Sequence, residues 1–224
     1  MEINGAELKS KGFFQQADGK NFSLRLCASG GTINAEVMKK AVEIAEKYGG
    51  ARLHLTTRQQ IEIPFIPAEN VEAVQKVLAE AKIKTFIGGP RVRTVVACLG
   101  AEVCKFGKIE TGELAKAIHQ KYFGRELPAK LKIAITGCKN NCAKVEANDI
   151  GIRGANEGYI MYFGGCFGHE TRIGKTILPV LPNSEAVLSV LDLTVNFYEA
   201  NAQKGERLGK MLDRIGIDSF KKIF

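Results

Sequence analysis

Four cysteines in two closely spaced pairs constrain this chain more than any other feature. Cys98 and Cys104 lie in CLGAEVC, and Cys138 and Cys142 lie in GCKNNC. The pairs follow the patterns C-x5-C and C-x3-C, and the stretch between them is long enough for a helix and a strand. A fold that brings both pairs together would place four thiolates around one centre, which is the ligand set of a [4Fe–4S] cluster.

A structural zinc site and disulfides are the alternatives. Four thiolates also bind zinc, but zinc sites usually separate paired cysteines by about two to four residues. The five-residue separation in C-x5-C is longer than is usual for zinc. The stretch MEINGAELKSKG lacks the apolar segment of a signal peptide, so we expect a reducing, cytoplasmic location where stable disulfides are rare. The spacing favours the iron–sulfur cluster and leaves zinc and buried structural cysteines open.

The other two cysteines belong to neither pair. Cys27 lies in the apolar run FSLRLCA and is predicted to be a small buried residue. Cys166 lies in GGCFG, where a structural and a ligand role are both open.

Composition and charge exclude some classes of protein. The 224 residues, 45% hydrophobic and 25% charged, suit a globular protein of one large or two small domains. No apolar run approaches the roughly 20 residues that span a bilayer, so no membrane partner is expected. The net charge of +8 favours an anionic partner. A zinc-stabilised nucleic-acid-binding protein would explain the charge and the cysteines, but the chain has no Trp and no aromatic stacking platform, so no nucleic acid is expected.

The first part of the chain predicts an α+β unit. Period-two strands and amphipathic helices alternate in the order β-α-β-β-α, which is typical of a ferredoxin-like unit. Asn34 is placed to cap the first of these helices. Strands are predicted at 22–28, 51–57 and 60–66, and helices at 34–49 and 67–81.

IGGPRVR then marks a boundary, which predicts domains at 1–86 and 87–224. The second domain is predicted to be mixed α/β, with one strand running directly into the second cysteine pair. Its predicted elements are a helix at 111–123, strands at 131–136, 149–154 and 159–165, a helix at about 183–203, and a short basic helical tail from Glu206.

Paired cations approach both cysteine pairs. Arg91 and Arg93 precede the first pair, and Lys130 and Lys132 precede the second. On extended backbone, residues two apart project from the same face. Because guanidinium and ammonium groups bind and polarise oxyanions, a redox centre with such neighbours indicates chemistry on an anion.

These motifs resemble the sirohaem- and [4Fe–4S]-dependent nitrite and sulfite reductases. The most specific element is TGCKNNC, which matches T-G-C-x-N-x-C, together with its upstream cysteine pair; LTTRQ is the second. In its size the chain is similar to the small assimilatory-type sulfite reductases of anaerobes and archaea. Further matching stretches are FSLRLCASGGTI, PRVRTVVACLGAEVC, LPAKLKIAITGCKNNCAKVEANDIGI, YFGGC and RIGIDSFKKIF.

The resemblance implies a role for each matching residue. Cys98, Cys104, Cys138 and Cys142 would hold the cluster, and Cys142 would also bridge to the sirohaem iron. The residues implied to contact sirohaem are Thr56, Arg58, Gln59, Thr136 and Asn140. The residues implied to hold the substrate oxyanion are Arg25, Arg93, Lys130 and Lys132.

The chain departs from the family pattern at a few positions. His54 stands where an arginine is common, which puts one contact to a cofactor carboxylate in doubt, and Pro64 stands where a histidine is frequent. Lys139 and Asn141 flank the motif residue Asn140 at places where proline and a small residue are usual. None of these departures removes a cluster ligand.

The implied activity is the six-electron reduction of sulfite to sulfide, with reduction of nitrite to ammonia as the alternative. An iron–sulfur electron carrier without sirohaem would not need LTTRQ or the paired cations. The chain has neither the cysteine pattern of an added ferredoxin domain nor a flavin or nicotinamide fingerprint, so electrons are expected from a separate carrier such as ferredoxin. Larger relatives hold two copies of this unit, from which we hypothesise a homodimer. His119 and His169 are interpreted as surface or packing residues.

Overall fold

The computed structural model describes residues 5–224, in which it separates two compact units. The first extends to Gly89, and the second is Pro90–Phe224. The sequence placed the boundary three residues earlier, between residues 86 and 87.

The first unit is an antiparallel sheet with helices. Its helices are α1 (Gly5–Ser10), α2 (Ala35–Tyr48) and α3 (Val71–Glu80), and its strands are β1 (Phe13–Gln15), β2 (Asn21–Arg25), β3 (His54–Leu55) and β4 (Ile61–Pro67). The strand order is β1-β2-β4-β3, and all three strand pairs are antiparallel. The predicted β-α-β-β-α order is confirmed, with α1 and β1 added before it.

Helix α2 begins where its cap was predicted. The side chain of Asn34 accepts a hydrogen bond of 2.8 Å from the backbone N–H of Glu36, which satisfies one of the donors left open at a helix start. Ala41, Ile44 and Ala45 of the same helix are buried in the core of this unit. The helical spacing of apolar residues therefore identified the buried face correctly.

The first predicted strand was too long. Strand β2 ends at Arg25, after which Leu26 makes an isolated bridge with Thr85. Cys27 lies beyond the strand and is half-buried, so the prediction of a buried cysteine was wrong.

The second unit is built on a mixed sheet. Its strands are β5 (Val96–Ala97), β6 (Ile133–Thr136), β7 (Ile150–Ala155) and β8 (Gly158–Phe163), followed by the hairpin strands β9 (Cys166–Phe167) and β10 (Thr171–Arg172). The sheet order is β5-β6-β7-β8, with β5, β6 and β7 parallel and β8 antiparallel to β7. The helices are α4 (Gly112–Tyr122), α5 (Ser184–Asn201), α6 (Leu208–Ile215) and α7 (Ile217–Lys221).

The two faces of this sheet are covered differently. Ile133 and Ile135 belong to the main core, which they share with residues of α4, α5 and α6. Ala134, which alternates with them on β6, belongs to a small cluster with Val145 and Tyr162. Helices therefore bury one face of the sheet, whereas the chain segment after the second cysteine pair helps to cover the other face.

The C-terminal tail corrects one prediction. The sequence predicted a single short helical tail from Glu206, but the tail forms α6 and α7 with Gly216 between them. Gly216 has a φ of 84°, a left-handed conformation that an α-helix does not allow and that glycine adopts without strain.

No helix within residues 5–224 is both long and apolar enough to cross a membrane. The cytoplasmic location stays a prediction.

One ion pair in this tail predicts a pH-dependent stability. Arg214 donates to both carboxylate oxygens of Glu206, at 2.7 and 2.8 Å, and these hydrogen bonds lower the pKa of Glu206 to about 2, from 4.5 for an ordinary glutamate. Glu206 therefore stabilises the fold at neutral pH, and this contribution is lost as the pH falls from 4.5 to about 2. We expect the unfolding free energies of the wild type and Glu206→Gln, measured by urea and circular dichroism, to differ at pH 7 and to converge as the pH falls through this range.

The matched control is Glu157→Gln, because Glu157 is exposed and makes no ion pair among the described residues. A gap for Glu206→Gln that stays constant down to about pH 2 would contradict this assignment.

Candidate functional site

Both cysteine pairs lie on loops that leave the same edge of a sheet. Strands β5 and β6 are parallel neighbours, with Ala97 opposite Ile135. Cys98 directly follows β5, and Cys138 follows β6 after one residue. Because the carboxyl ends of parallel strands meet at one edge, the fold brings together two pairs that are 34 residues apart in the sequence, counted from Cys104 to Cys138.

Backbone hydrogen bonds join the two loops. The N–H of Gly137 donates to the Sγ of Cys98 at 3.1 Å, and the N–H of Lys108 donates to the carbonyl of Gly137 at 2.7 Å. A Cβ atom on Gly137 would lie 2.9 Å from the Cα of Gly100, so only glycine fits at this close approach. The hydroxyl of Thr111 donates to the carbonyl of Cys98. These contacts fix the two loops to each other.

Asn141 shapes the loop that carries Cys142. It has a φ of 54°, a left-handed conformation that asparagine tolerates better than most residues. Its side chain accepts a 2.9 Å hydrogen bond from the N–H of Val145 and donates to Glu146. This departure from the family pattern therefore has a structural reason, because the asparagine itself stabilises the turn.

The cysteines have the chemistry of an iron–sulfur site. All six in the chain are free thiols; of the four paired ones, Cys138 is buried, Cys98 is half-buried, and Cys104 and Cys142 are exposed. Within residues 5–224, no three Cys, His, Asp or Glu side chains lie close enough to enclose a single metal ion. A [4Fe–4S] cluster holds its thiolates around a larger body than one ion. The donor set and the joined loops fit that cluster.

The two cation pairs lie on neighbouring segments of the second unit. Val92 and Leu131 form a parallel bridge, and both are buried. The N–H of Arg93 donates to the carbonyl of Leu131 at 2.8 Å. Because side chains alternate on extended backbone, Arg93 and Lys132 project to the face opposite Val92 and Leu131. Lys130 is exposed, and Lys132 is half-buried.

A buried ion pair supports this region, and the sequence analysis missed it. Asp149 is fully buried, and its carboxylate accepts hydrogen bonds of 2.8 and 2.6 Å from Arg207. It also accepts a 2.7 Å hydrogen bond from the backbone N–H of Lys132. Burial raises the pKa of Asp149, and the Arg207 guanidinium opposes that shift. No sequence motif marks the pair, since its members are 58 residues apart.

In the first unit, Arg25 is held by three side chains. It lies opposite Glu62 in the pairing of β2 with β4, and its Nε and Nη2 donate to one oxygen of Glu62 at 2.8 and 2.5 Å. Its Cζ lies 4.8 Å from the ring centre of Phe14 and 5.2 Å from that of Phe86. Glu62, which the sequence analysis missed, therefore orients a cation that was predicted to bind substrate.

The LTTRQ segment forms a tight turn. The N–H of Gln59 donates to the carbonyl of Thr56 at 2.9 Å, and Gln59 has a φ of 59°. The buried side chain of Gln60 donates to the carbonyl of Arg58 at 2.8 Å, and it exchanges hydrogen bonds of 3.0 and 3.1 Å with the backbone of Ala28. Gln60 thus connects the turn to the loop after β2 that contains Ala28. In the sequence, only its position next to LTTRQ indicated this role.

An open cleft of about 550 Å³ lies beside the second cysteine loop, and we call it the basic cleft. It includes Cys138 and Asn140, two of the predicted site residues. Thr136, another predicted site residue, is buried, with its hydroxyl 3.7 Å from the Sγ of Cys98. The basic cleft is lined by Lys105, Phe106, Lys108, Cys138, Lys139, Asn140, Arg153, Gly154, Ala155, Asn156 and Ile160.

Comparison with known families identifies the protein family that has this arrangement of cysteine loops. Residues 88–224 match the nitrite and sulphite reductase 4Fe-4S domain, and residues 14–81 match the nitrite/sulfite reductase ferredoxin-like half domain. The chain belongs to this family. The predicted family, its α+β fold and its two cofactors, a [4Fe–4S] cluster and sirohaem, are confirmed.

Individual relatives carry both substrate names. The chain is 28% identical over 87% of its length to a nitrite reductase [NAD(P)H] of Bacillus subtilis, of which it spans 24%. It is 27% identical over 93% of its length to a coenzyme F420-dependent sulfite reductase of Methanocaldococcus jannaschii, of which it spans 43%. It is 26% identical over 95% of its length to an assimilatory-type sulfite reductase of Nitratidesulfovibrio vulgaris, of which it spans 96%.

A solved structure shows the same fold. Dissimilatory sulfite reductase I matches 91% of this chain with a TM-score of 0.81 at 14% identity, and the match covers 68% of that chain. The chain therefore spans most of that structure but less than half of the Bacillus and Methanocaldococcus relatives.

The buried ion pair predicts a large loss of stability. In Arg207→Ala the Asp149 carboxylate stays buried without its partner, which we expect to cost about 3–5 kcal/mol of unfolding free energy in urea denaturation. Lys76→Ala is the control, since Lys76 and its partner Glu72 are 71% and 72% exposed and the loss should cost at most about 1 kcal/mol. Equal losses for the two variants would show that Asp149 does not depend on Arg207.

Proposed function

We propose that this chain is a sirohaem- and [4Fe–4S]-dependent sulfite reductase, which reduces sulfite to sulfide with six electrons. The observation that carries the proposal is the pair of cysteine loops that leave one sheet edge and are hydrogen-bonded to each other through Gly137. Sulfite is preferred as the substrate because the chain spans 96% of a relative named as an assimilatory-type sulfite reductase.

The cofactor ligands follow from the same loops. Cys98, Cys104, Cys138 and Cys142 would hold the [4Fe–4S] cluster, and Cys142 would also contribute to the sirohaem site. The two cofactors, when bound, supply the electron-transfer chemistry that no amino-acid side chain provides. The residues assigned to sirohaem are Thr56, Arg58, Gln59, Thr136 and Asn140.

The cations bind and protonate the substrate. Arg25 and Arg93 present guanidinium groups that bind the oxygens of sulfite and withdraw their charge. The ammonium groups of Lys130 and Lys132 donate protons to those oxygens, which leave as water. For one hydrogensulfite ion, six electrons and six protons give one hydrosulfide ion and three water molecules. Glu62 keeps Arg25 oriented for this task.

Electrons come from a separate carrier, for which a ferredoxin is suitable. The homodimer hypothesis, in which each site would combine residues of two chains, stays a prediction.

Turnover with a small reductant tests the proposal and its rival together. Protein purified without oxygen should reduce sulfite with reduced methyl viologen, at a kcat/KM above that for nitrite. A higher kcat/KM for nitrite would make the chain a nitrite reductase, as the Bacillus relative is named. If protein loaded with both cofactors reduces neither anion, the proposal is wrong.

Removal of one thiolate tests the ligand assignment. The wild type should contain about five irons per chain, four in the cluster and one in sirohaem. We expect Cys142→Ser to lower the iron and acid-labile sulfide content and to abolish sulfite reduction, because this thiolate serves both cofactors. Cys166→Ser is the matched control, because Cys166 is also a free thiol but contacts Arg207 at 3.5 Å rather than lying on the two loops.

Full iron content and activity in Cys142→Ser would overturn the ligand assignment. An equal loss of iron in both variants would show that Cys166, whose role the sequence left open, also supports the site.

A further inference from the structure

We propose that Glu146 is a positioning residue for Cys142 and that it acts through the side chain of Asn141, an inference that rests on the proposed function. Glu146 lies between the second cysteine pair and β7, and it is none of the residues assigned to the cluster, to sirohaem or to the substrate. The proposal follows from the hydrogen bonds of Asn141, the partners of the Glu146 carboxylate and the packing of the Glu146 backbone.

The side chain of Asn141 is held at both of its polar atoms. Asn141 directly precedes Cys142 in the chain. Its side-chain oxygen accepts a 2.9 Å hydrogen bond from the N–H of Val145, and its side-chain nitrogen donates to Oε2 of Glu146. An amide that uses its oxygen and its nitrogen at the same time cannot rotate without losing a hydrogen bond. The residue next to a proposed cluster ligand is therefore fixed by its side chain as well as by its backbone.

The Glu146 carboxylate connects this loop to the sheet. Its second oxygen, Oε1, lies 3.6 Å from Nη1 of Arg153 on β7. The Arg153 guanidinium also lies 5.1 Å from the ring centre of Tyr162 on β8. Burial raises the pKa of Tyr162, while Arg153 opposes that shift and Glu146 adds to it, as expected for three groups in one cluster. One carboxylate thus bridges the Asn141 amide and a cation of the sheet.

The backbone of Glu146 is itself held in place. The N–H of Gly174 donates to the Glu146 carbonyl at 2.8 Å. A Cβ atom on Gly165 would lie 2.0 Å from the same carbonyl oxygen, so only glycine allows this approach. The Glu146 side chain is only 22% exposed, so solvent screens its hydrogen bond to Asn141 less than it would at the surface. Glu146 is therefore a fixed point against which the Cys142 loop is set.

A small residue at position 141, which is usual in the family pattern, could make neither of these side-chain bonds. In this chain the asparagine and the glutamate act as a unit that orders the loop. Residues that hold metal ligands in place typically change metal affinity by about 10–100-fold when they are removed. We therefore expect Glu146 to determine how firmly the Cys142 thiolate retains iron.

Four single variants separate the contacts of this unit. Glu146→Ala removes the carboxylate, whereas Glu146→Gln keeps an oxygen that can accept from the Asn141 amide. Asn141→Gly removes both side-chain bonds but tolerates the left-handed backbone at this position. Arg153→Gln removes the other partner of Glu146. The matched control is Glu157→Ala, because Glu157 is exposed and has no ion pair in the described part of the chain.

The experiment measures how fast an iron chelator removes iron from the loaded protein without oxygen. We expect release to be about tenfold faster in Glu146→Ala and in Asn141→Gly. The double variant Asn141→Gly/Glu146→Ala should be no faster than either single variant, because both remove the same contact. Glu146→Gln should stay within about threefold of the wild type, since a neutral hydrogen bond remains. Arg153→Gln and Glu157→Ala should stay within about twofold.

Steady-state kinetics adds a second readout that a general loss of stability would not produce. In Glu146→Ala we expect kcat for sulfite to fall while KM for sulfite stays within about twofold of the wild type, because the cations assigned to the substrate are unchanged. Urea unfolding of the same variants measures their global stability.

Two results would overturn the proposal. One is unchanged iron release in Asn141→Gly, which also decides the matter if Glu146→Ala does not fold. The other is an additive increase in the double variant, which would show that Glu146 does not act through Asn141. Failure of the proposed function has a different signature, because the loaded wild type would then reduce neither anion although iron release could still be compared. If the wild type bound no iron, the hydrogen exchange rate of the Val145 N–H would test the contact, and equal rates in wild type and Glu146→Ala would reject it.

Discussion

The parallel pairing of β5 with β6 is the constraint on which the candidate site depends. It sets Cys98 and Cys138 at the same sheet edge, although many residues separate them in the chain. The pairing alone would leave two loops free to diverge. The close approach of Gly137 to Gly100 and its hydrogen bond to the Cys98 sulfur remove that freedom. The Gly137 N–H thus contributes to packing and also donates to a sulfur that is a proposed cluster ligand.

The sequence predicted what depends on periodicity and on motifs. Apolar residues at helical spacing identified α2 and its buried face, and Asn34 identified its start. The cysteine spacing and TGCKNNC identified the family, because those residue types are set by the cofactor and not by the fold. The assignments of individual residues to sirohaem and to the oxyanion stay predictions.

Other features depend on contacts between distant residues, which no local pattern shows. The pairing of Arg25 with Glu62 follows from the register of β2 and β4, and that of Asp149 with Arg207 from the approach of the segment before α6 to β7. Gly216 in the sequence hinted at the break between α6 and α7, but a glycine within a helical pattern is often tolerated. Only the backbone conformation of Gly216 shows that the helix ends there. The residues that hold the predicted site residues in place could therefore be identified only from the three-dimensional structure.

The two groups of cations in this chain are held in different ways, which affects how precisely each can place its charge. Arg25 is fixed by a carboxylate and two aromatic rings, and Lys132 belongs to a segment anchored on a buried aspartate. Orientation matters for groups that polarise a small anion, because catalysis depends on their placement to within a fraction of an ångström. The lysines of the basic cleft have no such anchors. Exposed lysines without an ion pair keep their rotamer freedom, so they contribute positive charge to the cleft but no fixed geometry.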